Sequence, residues 1–276
     1  MTLAEALSAA VERLRPHSDS ARLDAELLLA HCVQQPRSRL LSHGENKLAD
    51  DALTRFQGLV TRREMGEPLA YLLKQREFWS LELEVTPAVL IPRPETETLV
   101  EAALARIPAG ARWRIADLGT GSGAIALAIA RERPACVVLA TDSSEAALAV
   151  AARNAQRHQL GNVEFRRGRW YAALSGEKLE LVLSNPPYVA AQDPHLAALA
   201  FEPRRALIAG DNGLADLRFI VQHAPLHLKP GGWLLLEHGA TQDQAVRELL
   251  KFSGFASVET LADLADLPRV TLGQLN

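Results

Sequence analysis

Trp113-Arg-Ile-Ala-Asp117-Leu-Gly119-Thr120-Gly121-Ser122-Gly123, running on into Ala124-Ile-Ala-Leu-Ala-Ile-Ala130, reads as a strand, a glycine loop and an apolar helix. Glycines let a backbone turn tightly and come within contact distance of a ligand, as they do after the first strand of nucleotide-binding α/β sheets. Here the third glycine comes two residues after the second. The pattern is therefore G-x-G-x-G, not the dinucleotide fingerprint G-x-G-x-x-G, and the expected ligand shifts from a dinucleotide to S-adenosylmethionine. A plain tight turn is the bland alternative. No Lys-Ser or Lys-Thr follows, which argues against a phosphate-cradling loop. The next strand, Val137 to Thr141, ends at Asp142, about 20 residues past the glycines, where a carboxylate grips a ribose diol in this architecture. The plainer role of Asp142 is to cap the helix that starts near Ser144.

Further along, Leu179-Glu-Leu-Val-Leu183 reads as a strand that delivers Asn185-Pro186-Pro187-Tyr188. Two prolines fix φ and donate no N–H, so the Pro186 carbonyl and the Asn185 side chain are held stiffly outward as acceptors for a planar NH2 group. Tyr188 adds a flat apolar face. Read alone, a Pro-Pro pair is a strand-ending turn; read with the glycine loop, it is a clamp for an amide or a base.

Strands are expected at 113–117, 137–141, 163–166, 179–183, 233–237, 257–260 and 269–272. Helices are expected at 94–107, 123–131, 144–158, 214–227 and 242–252. Such alternation predicts an α/β domain over 94–276: a mostly parallel sheet covered on both faces, with ligands at the carboxyl ends of its strands. Residues 1–75 read instead as a helical domain. Thr2 and Glu5 have capping-box spacing, Leu3, Leu7, Ala10 and Leu14 recur at helical period, and further helices are expected at 23–32 and 53–63. Between the two, over 76–93, Leu81-Glu-Leu-Glu-Val85 alternates, Thr86-Pro87-Ala88 breaks the run and Val89-Leu-Ile91 resumes it, which predicts a hairpin linker.

A formal net charge of −3 speaks against a partner held mainly through nucleic-acid phosphates. The two cysteines, Cys32 and Cys136, lack CxxC spacing, so neither a disulfide framework nor a zinc site is expected, and a reducing cytoplasm fits. Neither a signal segment nor a membrane span is read at the N-terminus or elsewhere. His223 and His227 stand at i, i+4, but Pro225 lies between them and no acidic ligand is near, so no metal is expected.

Taken together, Glu67-Pro-Leu-Ala-Tyr71, Leu90-Ile-Pro-Arg-Pro-Glu-Thr-Glu97, Asp117-Leu-Gly-Thr-Gly-Ser-Gly123 and Asn185-Pro-Pro-Tyr188 resemble the HemK/PrmC family of release factor glutamine methyltransferases. The resemblance spans essentially the whole chain, to Pro268-Arg-Val-Thr-Leu-Gly273. Asn-Pro-Pro-Tyr is shared with adenine and guanine N-methyltransferases; the Ile-Pro-Arg-Pro-Glu-Thr-Glu stretch behind a helical domain is far more specific. The resemblance implies a seven-stranded class I, Rossmann-like methyltransferase domain with S-adenosylmethionine as donor. It implies as acceptor the glutamine of the Gly-Gly-Gln motif in class 1 peptide release factors, docked on the helical domain, and a cytoplasmic monomer. Gly119, Thr120, Gly121, Ser122 and Gly123 would line the methionine part of the cofactor, Asp142 its ribose and Trp170 its adenine, with Asn185 also beside it. Asn185, Pro186, Pro187 and Tyr188 would hold the glutamine, with Asn185, Pro186 and Tyr188 catalytic.

Three departures from that family's pattern bear on the site. Arg169 stands where an acid usually precedes Trp170; an arginine offers donors only, which predicts weaker grip on the adenine amino group. Lys74 replaces a common glycine, and the loop between His195 and Phe201 is about two residues short and lacks the usual Gly-Asp. Two other readings remain: a nucleic-acid N-methyltransferase using the same tetrapeptide, and a homologue that kept the fold but lost efficient cofactor use.

Overall fold

A computed structural model describes residues 1–276, the side chain of Leu41 excepted, as two compact units, Met1–Gln75 and Arg76–Asn276. The first unit is all helical: α1 (Leu3–Leu14), α2 (Ala21–Val33), α3 (Arg37–Ser42), α4 (Asp50–Glu64) and α5 (Leu69–Leu73). Thr2 and Glu5 form the expected capping box. Leu14, Leu28, Leu29, Phe56 and Val60 make the core of the bundle. Two buried acids are paired, Asp24 with Arg63 at 2.8 Å and Glu26 with Arg22 at 2.9 Å. Lys74 ends α5 in the left-handed region at φ 58°, the conformation glycine adopts without strain. The short helices α3 and α5 were not anticipated from sequence.

A hairpin follows, β1 (Gln75–Phe78) and β2 (Leu81–Glu84), joined by Trp79 and Ser80 at φ 50° and 54°. Two consecutive left-handed residues are what a two-residue hairpin turn requires. The partner of the 81–85 run therefore lies before it, not at 89–91 as expected. Residues 89–91 form no strand: Val89 N–H closes a turn on Thr86 O at 3.0 Å, and Ile91 N–H goes to Glu202 Oε2 at 3.1 Å. Pro92 and Pro94, without N–H groups, add nothing to a ladder.

A 3₁₀ turn, Pro94–Thr96, opens α6 (Glu97–Leu104). There follow β3 (Arg114–Leu118), α7 (Ala124–Glu132), β4 (Val137–Asp142), α8 (Glu145–Arg157), β5 (Val163–Arg167), β6 (Leu179–Ser184), α9 (Ala215–His227), β7 (Leu228–Glu237), α10 (Asp243–Phe252), β8 (Phe255–Ala262) and β9 (Pro268–Leu275). The seven expected strands form one sheet in the order β5-β4-β3-β6-β7-β9-β8, parallel except for β9, which runs antiparallel to both neighbours. Strand order reverses between β3 and β6, the switch point where such sheets bind ligands. Register places Thr141 beside Leu118, Leu118 beside Ser184 and Ser184 beside Leu236. Asp142, Gly119, Asn185 and Glu237, each one residue further, leave four adjacent strands at a common level. Apolar layers bury both faces of the sheet, one with α6 and α7, the other with α9 and α10. Among the described residues no helix is long and apolar enough to cross a membrane.

Candidate active site

A cleft of about 310 Å³ opens at these strand ends, lined by Gly119, Gly121, Asp142, Trp170, Asn185 and Pro187, among others. Its floor is the glycine loop. Gly119 and Thr120 N–H groups both donate to Thr141 O at 2.9 Å, which pins the loop to β4. Gly121 has φ 55°, and a Cβ there would meet nothing within 4 Å, so this glycine leaves the cleft open as well as turning the chain. Thr120 and Ser122 are buried in the scaffold beneath, and Thr120 Oγ1 donates to Asp117 Oδ2 at 2.7 Å. Asp117 itself is buried, Oδ1 has no partner, and burial pushes its carboxyl up to about 7.

Asp142 accepts from Gly121 N–H at 3.0 Å through Oδ2 and from Ser144 N–H at 2.8 Å through Oδ1. The cap of α8 is Ser144, whose Oγ accepts from Ala147 N–H at 3.2 Å, so Asp142 is not that helix's cap. Each Asp142 oxygen accepts one of these bonds and has further acceptor capacity, enough for a vicinal diol, and Asp142 lines the cleft. Trp170, at φ 51°, is buried with its ring edge over Gly119, and its Nε1–H has no protein acceptor. Beside it Arg169 pairs with Asp216 of α9 at 2.9 Å, and both line the cleft.

Asn185 and Pro187 of the tetrapeptide line the other wall, whereas Pro186 and Tyr188 are not among the residues that line the cleft. Ser184 Oγ donates to Leu118 O at 2.6 Å and ties the end of β6 to β3 immediately before both loops. Asn185 Nδ2 donates to Thr96 Oγ1 at 3.2 Å, which leaves Oδ1 as the acceptor. Pro186 is buried. Tyr188 O–H donates to Glu237 Oε1 at 3.2 Å, and burial raises the phenol well above its usual range. Behind the clamp, Gln242 Nε2 donates to Tyr188 O at 3.1 Å. Gly213, at φ 91°, lies so close to Tyr188 O that any Cβ would collide with it. His223 and His227 are engaged elsewhere, stacked on Phe219 and Tyr171. The short loop forms a 3₁₀ turn, Pro194–Leu199, capped by Asp193.

The PrmC N-terminal domain matches residues 5–73 and the methyltransferase small domain residues 96–202. A release factor glutamine methyltransferase of Xylella fastidiosa (strain Temecula1) is 54% identical over 270 residues, covering 97% of this chain and 96% of the relative. The chain belongs to the release factor glutamine methyltransferase family. A family member from Escherichia coli (strain K12) is 48% identical over 259 residues, 93% of each chain. Among solved structures, a methyltransferase from Pyrococcus furiosus shares the fold, with a TM-score of 0.55 at 18% identity over 79% of this chain and 96% of that one.

In this member of the release factor glutamine methyltransferase family, sequence reading missed Thr96, Asp216, Glu237 and Gly213 at the site. Thr96 lies inside the quoted 90–97 stretch and Glu237 ends an expected strand, so position alone could have flagged both. Asp216 and Gly213 carry no local signal; their roles come from where α9 starts.

Proposed function

We propose that this chain transfers the methyl group of S-adenosylmethionine to the side-chain amide nitrogen of the glutamine in the Gly-Gly-Gln motif of class 1 peptide release factors. The observation that carries the reading is the Asn185 amide: with Nδ2 spent on Thr96, Oδ1 is left as an acceptor at the cleft. Relatives named for this activity over nearly the full chain support the same conclusion.

An amide nitrogen is a poor nucleophile because its lone pair is delocalised. If one N–H of the glutamine is accepted by Asn185 Oδ1 and the other by the Pro186 carbonyl, the nitrogen is aimed and drawn toward a tetrahedral form. The face of Tyr188 restrains the amide plane, while Pro187 stiffens the peptide. The loop Gly119, Thr120, Gly121, Ser122, Gly123 would hold the methionine part of the donor, Asp142 its ribose hydroxyls and Trp170 its base. Bound there, the sulfonium supplies an electrophilic methyl. The proton leaves after transfer, when the nitrogen has become strongly acidic, so no metal is needed.

In this reading residues 1–75 dock the release factor, through the groove lined by Leu27, His31, Arg55 and Leu59. Residues 76–93 link it to the catalytic domain at 94–276, and the protein works as a cytoplasmic monomer. Incubation with labelled S-adenosylmethionine and a purified release factor, followed by mass-spectrometric mapping, tests the proposal. Label on the Gly-Gly-Gln glutamine is expected. Label on another residue, or on nucleic acid, overturns it.

A further inference from the structure

Tyr188 is held at three points by the corner that joins β7 to α10, none of which the proposed chemistry uses. Its hydroxyl donates to Glu237 Oε1 at 3.2 Å, where β7 ends. Its carbonyl oxygen accepts from Gln242 Nε2 at 3.1 Å, one residue before α10 begins. Its ring lies against Gly239, where a Cβ would stand 3.7 Å from Tyr188 Cδ2. The same Gln242 accepts the Gly239 N–H through Oε1 at 2.9 Å. Gly239 requires an acceptor and the Tyr188 carbonyl a donor, so the Gln242 amide can stand only one way round.

The chain around Tyr188 is fixed on both sides. Proline rings set φ at Pro186 and Pro187. Beyond Tyr188, the Val189 N–H donates to Leu207 O at 2.9 Å and the Val189 carbonyl accepts from Ala209 N–H at 3.0 Å. Tyr188 is the joint between these stretches, and rotation there would carry its ring off Glu237. Gly213 covers the joint: a Cβ there would come within 2.2 Å of Tyr188 O and 2.7 Å of Gln242 Nε2.

We propose that Gln242 is a positioning residue for Tyr188: its side-chain amide locks the Tyr188 peptide, and through it the pose of the ring between Glu237 and the substrate amide. A side chain that only tied the β7–α10 corner together would need the Gly239 bond and not the Tyr188 one. The two roles separate by chemistry. An ionised glutamate matches the shape of Gln242 and keeps an acceptor for Gly239, but turns a second acceptor on the Tyr188 carbonyl. Methionine matches its length and loses the donor as well as the strong acceptor. This inference rests on the proposed methyl transfer for its consequence, but not for its geometry.

The test labels tyrosine Cζ with ¹³C, since the chain has three tyrosines and Tyr188→Phe assigns the signal of Tyr188. That signal is followed beside kcat, KM for a purified release factor and cofactor Kd. Gln242→Glu and Gln242→Met are both expected to shift the Tyr188 signal, leave those of Tyr71 and Tyr171 in place, and lower kcat by about tenfold with KM and cofactor Kd nearly unchanged. In a Tyr188→Ala background, where no ring remains to be posed, Gln242→Glu is expected to cost less than about twofold more. A wild-type signal and kcat in Gln242→Glu overturn the inference, as do fully additive losses in the double variant. Parallel loss of cofactor binding, or movement of the Tyr71 and Tyr171 signals as well, marks a general structural role and overturns it too. Should the Tyr188 signal behave as expected while no glutamine is methylated, the positioning of Tyr188 stands and the proposed acceptor falls.

Discussion

Arg169 Nη2 donates to Asp216 Oδ1 at 2.9 Å at the edge of the cleft, beside Trp170. The acid missing from position 169 thus has a counterpart arriving from α9. The side chain of Asp216 is 11% exposed and that of Arg169 73%, so the carboxylate is the built-in partner and the arginine a movable one.

The first prediction concerns cofactor affinity. The absent acid alone predicts weak binding that Arg169→Asp would repair. With Asp216 already present, Arg169→Asp places two carboxylates together and is expected to bind S-adenosylmethionine no tighter. Asp216→Asn is expected to weaken binding by about threefold to tenfold, the worth of one hydrogen bond. Calorimetry on both variants decides; tighter binding by Arg169→Asp would restore the simpler account.

Asn185→Ala removes the acceptor at the clamp without touching the glycine loop. A loss of about 10²–10³ in kcat is expected, as for removal of a transition-state hydrogen-bonding group, with cofactor Kd changed little. Single-turnover methylation and calorimetry measure the two effects separately.

Gly213→Ala tests how tightly α9 is seated on the clamp. A methyl at φ 91° is strained in itself, and here it also meets the Tyr188 carbonyl. A loss of about 2–4 kcal/mol is expected from urea unfolding, with residual activity well below that of the wild type.

Asp117 gives stability a pH dependence. Its folded-state value is raised to about 7 by burial, so below the ordinary carboxylate range both folded and unfolded chains hold the proton. As pH rises the unfolded chain ionises first, and stability falls until about 7, then levels. Asp117→Asn keeps an acceptor for Thr120 and removes this term. Its deficit relative to wild type is expected to shrink by a few kcal/mol between about pH 4 and pH 8, readable as converging thermal midpoints.

Lys74→Gly relieves the left-handed residue at the end of α5. A gain of about 0.5–1 kcal/mol in the thermal midpoint analysis is expected, with kcat unchanged.

Periodicity made most of the sheet legible. The seven strands and the helices of the α/β domain fall within a few residues of where the alternation puts them, because a parallel sheet buried on both faces writes near-continuous apolar runs. The main extension is at β7, which begins at Leu228 and carries Pro230-Gly231-Gly232 within it, residues that read as a break. The hairpin was misplaced because Trp79-Ser80 lacks the Asn or Gly that usually announces a left-handed turn. At the site, the motif residues could be read locally. Asp216 and Gly213 could not, and for Thr96 and Glu237 position could flag the residue but not its partner, because the pairing joins distant segments: Asn185 and Thr96 are 89 residues apart.

The common level at which β4, β3, β6 and β7 end gives the sheet the role of a ruler. Neighbouring strands lie about 4.8 Å apart, so the spacing from Asp142 to Gly119, to Asn185 and on to Glu237 is graduated by backbone pairing, not by any side chain. Loops can be lengthened and pocket walls recoloured without moving those marks. Retargeting the protein to a different planar nitrogen is accordingly a problem of refitting what surrounds the marks, whereas a one-residue slip of β6 would misalign every mark at once.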